Sequence, residues 1–113
     1  MIHLKFKNTP PSTQTIYRHA GHRVYMTKEG SDTKELYQWE IKNQYKDKPV
    51  QSPISVIIEL HFKDNKKRDV DNFNKLLLDA GSGMIWKDDS QIHELIIRKF
   101  VDNKGGVDMF VMI

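Results

Sequence analysis

Ile2, Leu4 and Phe6 alternate with His3 and Lys5, the period of two expected of a half-buried strand, and Pro10-Pro11 stop it. Residues 12–30 show no clear period and contain Gly21 and Gly30 as breakers, so they read as a long loop or irregular ribbon. From Asp32 the spacing turns helical. Asp32 and Glu35 make a capping-box-like pair, Leu36 and Trp39 share one face, Tyr37, Ile41 and Tyr45 share the next, and the helix ends before Pro49. The clearest strand follows Pro53, with Ile54, Val56, Ile58, Leu60 and Phe62 set against Ser55, Glu59 and His61. Phe73, Leu76, Leu77 and Ala80 fall at i, i+3, i+4 and i+7, which predicts a helix of roughly ten residues from near Asp71 to a cap at Gly81. Residues 92–100 and 107–113 read as two strands, and Asp102-Asn103-Lys104-Gly105-Gly106 between them reads as a hairpin turn. The expected class is α+β: a small mixed sheet with two packed helices, and a site at the end of the strand Ile54 to Phe62.

With 113 residues the chain is expected to form one domain, too small for a Rossmann-type cofactor domain. It has no cysteine, which excludes disulfides and thiolate metal sites, so any bound metal must sit on oxygen or imidazole. Met1 to Lys7 lacks the apolar core of a signal peptide, and no run approaches the ~20 apolar residues of a membrane span. A soluble, cytoplasmic protein without membrane contact is expected. The net charge of +3 says little by itself, but its distribution says more. Lys63, Lys66, Lys67, Arg68 and Lys75 surround Asp64, Asp69 and Asp71 in one short stretch.

Carboxylates gathered in one place repel each other, and a divalent cation relieves that repulsion. Asp69 and Asp71 stand two apart where an extended segment enters a helix, a relation that points both side chains to one side. Lys75 lies one helical turn past Asp71, within reach of that carboxylate or of a phosphoryl oxygen, and Asp79 lies a further turn on. The glycine-rich turn Gly81-Ser82-Gly83 lets Asp88 or Asp89 double back toward the first pair. Hard oxygen ligands of this kind select Mg²⁺, with Mn²⁺ as a substitute. In phosphodiester hydrolysis two such ions ~4 Å apart would activate water and stabilise the leaving oxygen. The plainer reading assigns Asp69 and Asp71 to helix capping, Lys75 to a surface ion pair and Asp88-Asp89 to a turn. A calcium-binding EF-hand loop fails, because Asn74 and Ala80 stand where glycine and glutamate are needed.

Pro10-Pro11-Ser12, Tyr17-Arg18-His19, Lys67-Arg68-Asp69-Val70-Asp71-Asn72-Phe73-Asn74-Lys75, Asp79-Ala80 and Trp86-Lys87-Asp88-Asp89 together resemble the RusA family of Holliday junction resolvases in order and spacing across most of the chain. The resemblance implies a homodimeric, Mg²⁺-dependent endonuclease of bacterial or phage origin that cuts four-way DNA junctions. It implies Asp69, Asp71 and Asp89 as metal-binding catalytic carboxylates, Asp88 as the alternative to its neighbour, and Lys75 as the catalytic lysine. Arg18, Arg23, Lys63, Lys66, Lys67 and Arg68 would then hold the phosphate backbone. A competing reading is a DNA-binding accessory protein whose acidic residues are structural.

His3 and His61 alternate with apolar strand residues and are expected on the solvent face of a sheet, whereas His19 and His22 join Arg18 and Arg23 in a cationic loop aimed at phosphates. His93 is expected on a strand surface. Tyr37, Trp39 and Tyr45 are expected in core or dimer packing, and Val107, Met109, Val111 and Ile113 form an apolar stripe on the last strand.

Overall fold

Six strands and three α-helices follow one another as β1 (Ile2–Phe6), α1 (Thr13–Ile16), β2 (Tyr17–Ala20), β3 (Arg23–Met26), α2 (Lys28–Gln44), β4 (Ile54–Phe62), α3 (Lys75–Gly81), β5 (Ile92–Val101) and β6 (Gly106–Met112) in a computed structural model that describes every residue, Met1–Ile113. The main sheet runs β1-β6-β4-β5, and β2 and β3 form a separate two-stranded ribbon. The sheet is mixed, as expected: β4 is antiparallel to β6 and parallel to β5. One face of it carries Leu4, Phe6, Val56, Ile58, Leu60, Val107, Met109 and Val111, all buried beneath α2 and α3. Tyr37 and Ile41 come from α2, and Leu76, Leu77 and Ala80 from α3, to complete this core.

The strands at 92–100 and 107–113 exist, but they are not a hairpin. β4 lies between them, paired with β6 from Ser55↔Met112 to His61↔Gly106 and with β5 from Ile54↔Ile92 to Phe62↔Val101. Its apolar residues give β4 the strongest claim on the centre of a buried sheet. The glycine-rich turn therefore steps over the end of β4, where the Asp102 amide donates to the Phe62 carbonyl at 2.9 Å. Gly106 permits that step: its φ is +80°, and a Cβ there would meet the Phe6 carbonyl oxygen at 2.4 Å.

Residues 12–30 are more ordered than their pattern suggested. They contain α1, the β2–β3 ribbon and the start of α2, which begins at Lys28 behind Thr27, whose side chain accepts from the Gly30 amide at 3.3 Å. Asp32 and Glu35 therefore do not cap it. Gly30 is not a breaker but a close approach, since a Cβ would lie 2.7 Å from Met26 Cγ. The face of Tyr37 and Ile41 is the buried one, whereas Trp39 is 63% exposed and lies outside the core. The second predicted helix is divided. A 3-10 turn, Val70–Asn72, comes first, and α3 starts only at Lys75.

Candidate metal and nucleic-acid site

The ring of Phe62, the last residue of β4, organises the acidic segment from both sides. Arg68 stacks with Cζ 4.1 Å from the ring centroid, and Phe73 meets the ring edge-on at 5.3 Å. The chain between those two contacts is Asp69 to Asn72, so an apolar clamp holds an exposed acidic turn. Within it the Asn72 amide donates to the Asp69 carbonyl at 3.1 Å, while the Asp69 side chain makes no capping hydrogen bond. The Asp69 and Asp71 carboxylates are exposed and neither enters an ion pair within 4.0 Å. Pure helix capping thus does not describe them. Asp69 borders a shallow cleft with Ser12, Lys67, Arg68, Asn72 and Phe73.

Lys75 opens α3 and turns toward Asp79, not Asp71: its Nζ is 3.4 Å from Asp79 Oδ2 and 4.6 Å from the Tyr17 ring centroid. The Tyr17 hydroxyl donates to the same Asp79 oxygen. Burial, and then the hydrogen bond and charge of Asp79, push the Tyr17 hydroxyl pKa well above its ordinary value. The sequence motif containing Tyr17 was visible, but its link to Asp79 was not.

Asp88 and Asp89 have different surroundings. Asp88 caps a second 3-10 turn, Asp89–Gln91: its Oδ2 accepts from the Ser90 amide at 3.0 Å and from the Ser90 hydroxyl, and the Gln91 side chain accepts from the Asp88 amide at 2.7 Å. The bonds from Ser90 hold its carboxyl below the usual carboxylate range. Asp89 Oδ1 accepts from Nε1 of the buried Trp86 at 2.7 Å, leaving Oδ2 open. Trp86 is itself fixed against Gly81, where a Cβ would lie 2.5 Å from its ring. Asp69, Asp71 and Asp89 do not form a closed cage within the chain. The compact set of ligand atoms, all within 4.8 Å of one another, belongs to Glu59, His61 and Asp108.

The cations frame the acidic turn unevenly. Lys63, Lys66 and Lys67 are exposed after β4, and Arg68 is half-buried on Phe62 and paired with Asp64 at 2.9 Å. Arg18 and Arg23 lie on the ribbon, where Arg18↔Tyr25 and Ala20↔Arg23 pairing puts both arginines and Tyr25 on one face. Tyr17 lies on the opposite face and ties the ribbon to α3. His19 and His22 are exposed on the same ribbon.

His61 is not at the solvent surface where its alternation places it. It is 8% exposed instead of facing solvent, because Asp102, Asp108 and the stacked Phe100 ring at 5.2 Å enclose it. His3 likewise binds Asp108 at 2.8 Å. The i, i+2 spacing of Glu59 and His61 and the lone acid in the apolar run of β6 were the available signals.

Open carboxylates framed by cations have the chemistry that divalent ions and phosphate esters call for. The family model described as endodeoxyribonuclease RusA matches residues 8–112. The crossover junction endodeoxyribonuclease RusA of Escherichia coli K12 is 34% identical over 98 residues, covering 86% of this chain and 82% of that protein. The protein of the same name from Enterobacteria phage 82 is 33% identical over an equal span, with the same coverage of each chain. This chain belongs to the RusA endodeoxyribonuclease family.

Proposed function

We propose that the protein is a metal-dependent, structure-selective endonuclease that resolves four-way DNA junctions by paired phosphodiester hydrolysis. Family membership across residues 8–112, a span that includes the acidic turn, carries this reading. Asp69 and Asp71 offer unpaired carboxylates, and Asp89 offers a carboxylate oriented by Trp86. This suits Mg²⁺, which keeps several waters and takes one or two carboxylates together with substrate phosphate, so no closed protein cage is required. Asp88 is committed to capping, which favours Asp89 as the third acid. The bound ion would polarise the scissile phosphate and lower the pKa of attacking water.

The chain's own residues supply the rest. Lys75, steadied by Asp79 and Tyr17, offers its ammonium to developing negative charge. Arg18, Arg23, Lys63, Lys66, Lys67 and Arg68 hold the phosphate backbone on either side. A two-fold homodimer would present two such sites to a junction of matching approximate symmetry. The reaction belongs in the cytoplasm of a bacterium, where phage-encoded relatives would also act.

The test is a synthetic four-way junction incubated with the purified protein, with and without Mg²⁺. Paired nicks that require the ion are expected, and Asp71→Asn should abolish them while leaving junction binding in place. A wild-type protein that binds junctions but never cuts them supports the non-catalytic accessory role instead.

A further inference from the structure

On the sheet face turned away from the helices, β4 and β6 bring Glu59, His61 and Asp108 together, with ligand atoms all within 4.8 Å of one another. The His61 ring fixes the chemistry of this group. Its Nδ1 lies 2.8 Å from Asp102 Oδ2, and a carboxylate only accepts, so Nδ1 donates there and Nε2 is the ring atom turned toward Asp108. Nε2 is buried and has no hydrogen-bond partner, although Asp108 Oδ2 is 3.1 Å away. A buried ring nitrogen left without a partner beside two carboxylates offers a ligand atom to a metal ion, although Lys104 Nζ already meets Asp108 Oδ2 at 2.7 Å and His3 meets its Oδ1 at 2.8 Å.

We propose that Glu59, His61 and Asp108 form a second metal site, separate from the acidic turn, for a borderline divalent ion of the Zn²⁺ type. One imidazole and two carboxylates are a donor set such ions accept. Metal–nitrogen and metal–oxygen bonds of about 2.1 Å at a tetrahedral angle separate the donors by about 3.4 Å, near the 3.1 Å between Nε2 and Oδ2. Asp102 supplies the carboxylate behind the histidine that orients metal-bound imidazoles elsewhere. Lys104 and Arg98 now touch Asp108 and Glu59, but their side chains are 53% and 52% exposed and can withdraw into solvent as the ion enters. Bound there, the ion joins β4 to β6 and fixes the turn that crosses the end of β4.

The experiment uses chelator-stripped protein carrying Asp69→Asn and Asp71→Asn, so that the acidic turn does not contribute. Titration with Zn²⁺ by calorimetry should give one equivalent bound per chain, and Co²⁺ should give the visible spectrum of a four-coordinate ion with a nitrogen ligand. His61→Gln should remove both signals. Because a buried substitution can impair folding, Glu59→Gln and the more exposed Asp102→Asn are tested beside it, with circular dichroism confirming the fold. Asp102→Asn should weaken Zn²⁺ by about 10- to 100-fold. Absence of Zn²⁺ binding overturns the proposal, as does binding that Glu59→Gln and Asp102→Asn leave unchanged. So does an imidazole NMR signature of His61 protonated on both nitrogens and unaltered by Zn²⁺.

Discussion

At the residue scale, Trp86 supports Asp89, the proposed third acid. Its indole N–H orients Asp89, and its ring fills the space a side chain at position 81 would need. Trp86→Phe keeps an aromatic ring but removes the donor, so junction cleavage should fall about 10- to 100-fold at low Mg²⁺ and recover partly as Mg²⁺ is raised. Cleavage that is insensitive to this change at every Mg²⁺ concentration rules out the orienting role. Gly81→Ala tests the packing side of the same contact. Overpacking against the indole should cost about 1–3 kcal/mol, read from urea unfolding. The acids of this region were legible in sequence because they lie close together in the chain and are polar at exposed positions. Their hydrogen-bond partners were not: Asp79 and Tyr17 are 62 residues apart, and no local pattern joins them. His61 shows another limit, since period-two alternation assigns a face of a strand without saying what else covers that face.

At the element scale, the apolar periodicities located β1, β4, α2 and α3, and missed what had weak periodicity. The ribbon strands Tyr17–Ala20 and Arg23–Met26 are four residues each and mostly exposed, so no buried face imprints an alternation on them. Strand order was hidden for a different reason: a glycine-rich turn is compatible with a hairpin or with a step across an intervening strand, and only β4's claim on the centre decides. The ribbon has a measurable consequence. Arg18 and Arg23 share a face and stand outside every ion pair of the chain, so both are available to phosphate. Substituting both by alanine should weaken junction binding at low salt and reduce the slope of log K against log[salt] by about 2, one phosphate contact for each arginine. An unchanged slope would place the ribbon away from DNA.

At the scale of the whole molecule, two tyrosine hydroxyls fasten peripheral segments to the core. Tyr37 on α2 donates to the Asn8 carbonyl at 2.7 Å, which secures the segment after β1, and Tyr17 ties the ribbon to α3 through Asp79. Burial first, and then the charge of Glu40, push the Tyr37 hydroxyl pKa far above its ordinary value, and the Tyr17 hydroxyl is raised as well. A pKa raised by folding means that the unfolded chain releases its proton first. The stabilisation is thus fully present below the unfolded value of about 10 and is lost as pH climbs toward the folded value. Each fully shifted tyrosine contributes a slope of about 1.4 kcal/mol per pH unit in that interval, and Tyr17, which is partly solvated, contributes less. Urea unfolding followed from about pH 8 to about pH 11 should show a plateau and then a steep decline. Tyr37→Phe should lower stability at neutral pH by about 1 kcal/mol through the lost hydrogen bond, yet flatten the alkaline decline, because the group that titrates is gone. If the wild type and Tyr37→Phe decline in parallel above pH 10, the Tyr37 hydroxyl is not the group that titrates with unfolding and is not what fastens the segment after β1.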